Sequence, residues 1–287
     1  MHDPFDHVRD HAEWHFLAND LTGEWTIHLP VLFEIPSFSL FGYEFGPHRF
    51  QLTKYMVLEV IAAVIVAAIY IPLARRVRTG EPPKGYLWNT FEVVLTFLRD
   101  QVAKPNLGEE EADKYVPFLW TLFLFILACN LLGMLPFMGS PTGAFSVTLT
   151  LAAIAFCAIH GYAIAAHGLW HYLKSYVPHI DVPLILGIFL IPMIMAIEIM
   201  GHFIKAFVLA VRLFANMFAG HTVLAFILFF IVMAKQASPL LLGVITVGSV
   251  LGVTALSLLE LFVAFLQAFI FTFLTSLFMG STLHPEH

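Results

Sequence analysis

Residues 182–234 read VPLILGIFLIPMIMAIEIMGHFIKAFVLAVRLFANMFAGHTVLAFILFFIVMA, and the interpretation of this stretch decides the fold. It is apolar almost without pause and more than twice as long as the roughly 20 residues a perpendicular helix needs to cross about 30 Å of hydrocarbon. A long helix that crosses the membrane tilted or bent fits best. A second stretch of the same kind, Leu240 to Leu283, follows after only Lys235, Gln236, Ala237, Ser238 and Pro239. So short a connection predicts an antiparallel helical hairpin. Deep inside the first stretch lies Arg212, a permanently charged side chain whose burial in a bilayer costs a few kcal/mol even on lenient insertion scales. It is a functional-site candidate by default.

The rest of the chain agrees with a membrane setting. Of its 287 residues 59% are hydrophobic, only 12% are charged and 29 are Phe, whereas a soluble domain is about a quarter charged. The formal charge of -6 comes mostly from acidic residues outside the apolar segments, Glu109, Glu110, Glu111 and Asp113 among them, and nothing points to a nucleic-acid partner. Cys129 and Cys157 sit in apolar runs and imply no disulfide framework. The first 50 residues are polar, aromatic and acidic and lack the basic start and apolar core of a signal peptide, so they read as mature protein.

Hydropathy marks a first span from Tyr55 to Leu73, ending at Pro72 and a basic cluster, a second from Pro117 to Met138 and a third from Gly143 to Leu169. Between the first two, Leu87, Phe91, Leu95, Leu98 and Val102 recur at steps of three or four with polar residues interleaved, predicting an amphipathic interfacial helix. The expected fold is an all-α polytopic membrane protein with five crossing helices, one interfacial helix and a long tilted terminal hairpin. Arg75, Arg76, Arg78, Lys84, Arg99, Lys104, Lys114 and Lys174 fall in connections on one side, against Arg9, Arg49, Lys54 and Lys235 on the other. By the excess of positive charge inside, the N-terminus is expected outside and the C-terminus in the cytoplasm. The division is then an external segment 1–54, a span 55–73, a cytoplasmic loop 74–116 carrying the interfacial helix 86–104, a hairpin 117–169, a loop 170–181, the long hairpin 182–283 and a cytoplasmic tail 284–287.

Steps of seven return to nearly the same helix face at ~100° per residue. Glu198, Lys205 and Arg212 are spaced by seven and seven, and His202 and Asn216 join their face at steps of four, whereas His221 points away from Asn216. The second long stretch carries Glu260 and Gln267, again seven apart, with Phe271 continuing the line. Carboxylates, imidazoles and amides around a fixed cation can pass or orient protons while the surroundings stay dry. Lone intramembrane Asn130 and His160 read instead as helix-to-helix hydrogen-bonding groups. The competing classes are an independent ion-coupled secondary transporter or channel and an intramembrane hydrolase. The chain has no inverted repeat to favour the first and no HExxH motif to favour the second.

The run Arg212 to His221, RLFANMFAGH, resembles the R-L-x-x-N-x-x-A-G signature of subunit a of the rotary ATP synthase. LQAFIFTFLT around Gln267 and NLLGMLP from Asn130 to Pro136 resemble two further elements of that family, and the likeness extends over roughly Lys54 to Leu283. The resemblance implies a non-catalytic stator subunit of the F-type membrane sector, in a bacterial inner membrane, partnered by a c-subunit ring, b-type peripheral stalk subunits and the remainder of the synthase. It implies no cofactor and no metal. Arg212 is similar to the arginine that meets each passing c-subunit carboxylate. Glu198, Asn216, His221 and Glu260 resemble the lining of the outer half-channel, Gln267 resembles a glutamine near the arginine, and Lys205 and His202 support the polar face. His221 and Glu260 hold an imidazole and a carboxylate where many bacterial members have them the other way round. Ala144 and Ser146 replace the usual Asp and Asn of the third-span turn.

His7, His11 and His15 recur at steps of four, which would suit a metal only on a helix, and a solvated face is the plainer reading. His160, His167 and His171 share a helical face near the cytoplasmic end of the third span, where an exit path or interfacial anchoring by Trp170 and Tyr172 would fit.

Overall fold

The computed structural model describes residues 13–16, 25–35, 38–40, 43–45, 48–78, 85–135, 138–175, 184–234 and 239–283. The His7 and His11 positions, the connection 235–238 and the tail 284–287 lie outside the described residues.

The helices, in chain order, are α1 (Lys54–Arg78), α2 (Tyr86–Phe97), α3 (Lys104–Leu107), α4 (Glu109–Gly133), α5 (Phe145–His167), α6 (Leu169–Ser175), α7 (Leu184–Ala234) and α8 (Pro239–Leu283). Five are long and apolar enough to cross a membrane, over Lys54–Arg75, Glu111–Gly133, Phe145–His167, Phe189–Ile227 and Leu242–Leu283. The expected five-span helical architecture and its long terminal helices are thus found. Ahead of α1 the described residues add six short strands, β1 (Glu13–Phe16), β2 (Trp25–His28), β3 (Val31–Ile35), β4 (Phe38–Leu40), β5 (Tyr43–Phe45) and β6 (His48–Gln51). They pair antiparallel as β1 with β2, β3 with β6 and β4 with β5. His15 therefore stands in a strand, not on the helix a chelating step of four would need.

Proline does not stop these helices. The first helix continues through Pro72 to Arg78, and Pro117 and Pro192 lie inside α4 and α7. A proline removes one backbone donor, and in a membrane setting neighbouring groups can re-satisfy the freed carbonyl, so the helix need not end there.

The chain forms two compact bodies, each described by itself. One comprises Met1–Ile65, Ala128–Ala144 and Met217–Ala264, the other Val66–Leu127, Phe145–Asn216 and Phe265–His287. The second body holds most of the core. Leu122, Phe123 and Ile126 of α4 pack with Leu151 of α5, Leu209 and Leu213 of α7 and Phe271 of α8. A neighbouring cluster joins Leu107, Leu119, Ile159, Met279 and Leu283.

The amphipathic helix is anchored in that core. Leu95, Leu98 and Val102 are buried while Asn89, Glu92 and Gln101 are exposed. Between α2 and α3 the chain widens into a π-helical turn, Leu98–Ala103. Such a turn changes backbone pairing, and here side chains use the carbonyls. Trp120 Nε1 donates to the Leu95 carbonyl (2.9 Å), and Asn106 Nδ2 and Ser276 Oγ both donate to that of Val102 (2.9 and 3.3 Å). Arg99 grips Asp113 through two parallel bonds of 2.7 and 2.8 Å, which hold the exposed guanidinium's pKa above its usual value. Gly280 lets α8 approach this region, since a β-carbon there would collide with the Asn106 carbonyl.

Candidate functional site

In the second body, α7 presents two kinds of surface. Leu209, Ala210 and Leu213 are buried, whereas Lys205, Val208, Ala215 and Asn216 are exposed. Arg212, Glu198 and His202 are intermediate. The polar stripe therefore runs along the rim between the packed seam and the open face, as the seven-residue spacing on one continuous helix requires.

Arg212 has no hydrogen bond or ion pair among the described residues. Its neighbour on the stripe is committed. Asn216 Nδ2 donates to Gln267 Oε1 of α8 at 2.7 Å, and Gln267 is 1% exposed with its Nε2 buried and without a partner among the described residues. The amide pair thus ties α7 to α8 one turn beyond the arginine while leaving the guanidinium free. Further along the stripe, Lys205 Nζ lies 5.1 Å from the centroid of the Phe278 ring, a cation–π contact that holds the ammonium against α8.

The other two candidates belong to the first body and meet each other. His221 Nδ1 lies 3.5 Å from Glu260 Oε1, too long for a direct hydrogen bond but within reach of one proton transfer after a small approach. Glu260 is 6% exposed. His221 Nε2 and Glu260 Oε1 are both buried with no hydrogen-bond partner among the described residues. Gly220 makes the pair possible, because a β-carbon there would stand 2.8 Å from Glu260 Oε1. Lys54, at the start of α1 and 5% exposed, is close enough to act electrostatically on His221. Sequence reading placed Lys54 among ordinary outer charges. Only its position at the very edge of the first span hinted at burial.

The same body explains the NLLGMLP element. Asn130 Nδ2 donates to the Ala264 carbonyl of α8 at 3.1 Å, and Thr142 Oγ1 donates to Asn130 Oδ1 at 2.7 Å. Ser140 Oγ shares a 2.8 Å bond with Thr142, and Ser140 so closely overlies Gly133 that a β-carbon at residue 133 would clash with it. Asn130 is thus a hydrogen-bonding group between helices, and the α8 carbonyl it bonds lies one helical turn from Glu260. Thr142 and Ser140 were missed as its partners because they act through tertiary contact, not spacing.

No group of three or more His, Cys, Asp or Glu is placed to hold a metal ion among the described residues. What the two polar groups can do is accept, hold and release protons.

Comparison with known proteins agrees with that chemistry. Residues 56–280 match the family described as ATP synthase A chain. The chain is 37% identical over 283 residues to ATP synthase subunit a of Myxococcus xanthus (strain DK1622), covering 98% of this chain and 87% of that protein. It is 36% identical over 289 residues to ATP synthase subunit a of Chloroherpeton thalassium (strain ATCC 35110 / GB-78), covering 99% of this chain and 78% of that protein. For ATP synthase subunit a 2 of Chlorobaculum tepidum (strain ATCC 49652 / DSM 12025 / NBRC 103806 / TLS) identity is 36% over 284 residues, with 98% of this chain and 72% of that protein covered. The chain belongs to the ATP synthase A chain family, as a multi-pass, non-catalytic membrane subunit that conducts protons in the stator of the ATP synthase.

Proposed function

We propose that Arg212 is the point at which this subunit meets a moving ring of c-subunit helices, and that the other polar residues serve it. The observation that carries this reading is a half-buried guanidinium at the edge of an open helix face, with no hydrogen bond or ion pair among the described residues. A buried cation without an internal partner calls for an external one, and the chemistry that fits is a carboxylate.

A fixed positive charge a few ångströms from a carboxylate in low dielectric favours its ionised form. A ring carboxylate would therefore release its proton before passing Arg212 and take one up after it. The same charge repels a proton crossing directly, so flow is tied to rotation. Asn216 and Gln267 hold the two helices at the arginine, leaving it free to exchange partners. Glu198, Asn216, His221 and Glu260 line the aqueous half-channel open to the outside, the His221–Glu260 pair passing protons between imidazole and carboxylate. Lys205 and His202 extend the polar face towards the other side.

In this reading the N-terminus is outside, residues 1–54 are external, the loops at 74–116 and 170–181 and the tail 284–287 are cytoplasmic, and 182–283 faces the ring. The b-type peripheral stalk holds the subunit against rotation. The test is ATP-driven proton pumping by the assembled complex carrying Arg212→Ala. Loss of pumping with the complex still assembled is the expected result, and pumping at the wild-type rate would overturn the assignment.

A further inference from the structure

The second body holds another polar cluster, apart from the arginine, in which His160 and Tyr172 join His202 and Lys205 and have no role in the functions assigned above. His160 on α5 and His202 on α7 face each other with ring centroids 5.3 Å apart. His160 Nδ1 shares a short hydrogen bond with the hydroxyl of Tyr172 on α6. His160 Nε2 is buried and has no partner among the described residues. Beside it lies a cavity of about 20 Å³, lined by Phe156, His160, His202, Lys205, Leu209 and Phe278 among others.

A cavity needs roughly 10–15 Å³ of such volume, and two or more polar partners, to hold a water molecule. This one has the room, and His160, His202 and Lys205 are among its lining residues, beside the unpartnered His160 Nε2. It does not suit a metal ion, because the Lys205 ammonium adds a third nitrogen that is already positive. A histidine serving only to join helices would need one nitrogen, which Tyr172 already engages. Leaving the other dry carries a desolvation cost that a cavity water removes. The charged and titratable groups around His160 are Tyr172 from α6 and His202 and Lys205 from α7, with Glu198 acting electrostatically on His202, while α8 contributes the apolar Phe278.

We infer that His160, a water in this cavity and Tyr172 form a proton relay between the polar stripe of α7 and the α5–α6 end, about 15 Å along α7 from Arg212. The relay rests on the role proposed above for Arg212. The neutral His160 ring starts with its proton on Nδ1, donated to the Tyr172 oxygen. A proton from the cavity water, replenished from the His202 side, binds Nε2. The Nδ1 proton then passes to the Tyr172 oxygen as the tyrosine's own hydroxyl proton leaves to water beyond it. One proton enters and one leaves, and the ring returns to its first tautomer by turning.

The experiment is passive proton flux through the membrane sector of the assembled synthase in lipid vesicles, driven by an imposed potential. His160→Gln can still donate a hydrogen bond to the Tyr172 oxygen through its amide but cannot relay a proton as an imidazole does. Its flux should fall by about a hundredfold, the low end of what a positioned proton-transfer group contributes. Tyr172→Phe keeps the ring and removes the hydroxyl, and should show the same loss, so it decides the matter should His160→Gln fail to assemble. Wild-type flux in either assembled variant would overturn the relay. Arg212→Ala separates the two claims: normal pumping there sinks the ring-facing reading, whereas dead Arg212→Ala beside a normal His160→Gln sinks the relay alone.

Discussion

Helices α4 and α7 are both apolar and both cross the membrane, yet 56% of the most apolar window of α4 is buried within the subunit against 11% of that of α7. Their mean hydropathies, 2.1 and 1.9, hardly differ. Apolar content therefore does not distinguish a helix that builds the subunit from one that offers itself to a partner or to lipid. Placement of polar groups does. On α4 the buried Asn130 is engaged by Ala264 and Thr142, whereas on α7 Arg212 has no hydrogen bond or ion pair among the described residues. A satisfied polar group marks a joint, and an unsatisfied one marks a working surface.

Substitutions can break or sharpen this contrast. The largest effect is expected from Arg212→Ala, which should cut ATP-driven pumping by about a hundredfold or more, in line with removal of a preorganised charge-stabilising group. The amount of assembled complex should stay near wild type. If assembly were lost instead, α7 would be a packing helix like α4. Next, Ile126→Ala or Leu119→Ala, both at fully buried sites, should destabilise the subunit by about 2–5 kcal/mol. Ile197→Ala, at a site 63% exposed on α7, should stay within about 0.5 kcal/mol. Thermal denaturation of the detergent-extracted complex would measure both.

Smaller effects refine the joints. Gly220→Ala should push the Glu260 carboxylate away and slow proton flux without lowering subunit stability comparably, because its β-carbon would meet a side-chain tip. Asn130→Ala should cost about 1 kcal/mol, the usual worth of an interhelical hydrogen bond in a membrane. Asp113→Asn should leave the melting temperature unchanged at physiological salt, since the pair it breaks is exposed and screened.

Much of this was legible in the chain itself. Span lengths fixed five crossings, and the seven-residue recurrence of Glu198, Lys205 and Arg212 placed them on one face, because both rest on local helix geometry alone. The ends were less legible. Pro72 reads as a terminator, but whether a proline ends a helix depends on neighbours that resupply its lost bond. The π-helical turn at Leu98–Ala103 has no local signature either, since its Val102 carbonyl is claimed by Ser276 of α8 as well as by Asn106, and the Leu95 carbonyl just before it by Trp120 of α4. Site pairings fall between these cases. An antiparallel hairpin makes a meeting of Asn216 with Gln267 plausible from sequence, but the burial of Lys54 and the His160–Tyr172 bond arise from side-chain placement between helices.

The central claim is that the open, arginine-bearing face of α7 is the one that meets the ring. Disulfide trapping between single cysteines on α7 and cysteines along the c-subunit helix tests it most directly. The account predicts cross-links from Val208→Cys and Ala215→Cys, which are exposed beside Arg212, and none from Leu213→Cys, which is fully buried. Equal cross-linking at all three positions, or cross-linking at Leu213→Cys alone, would contradict it.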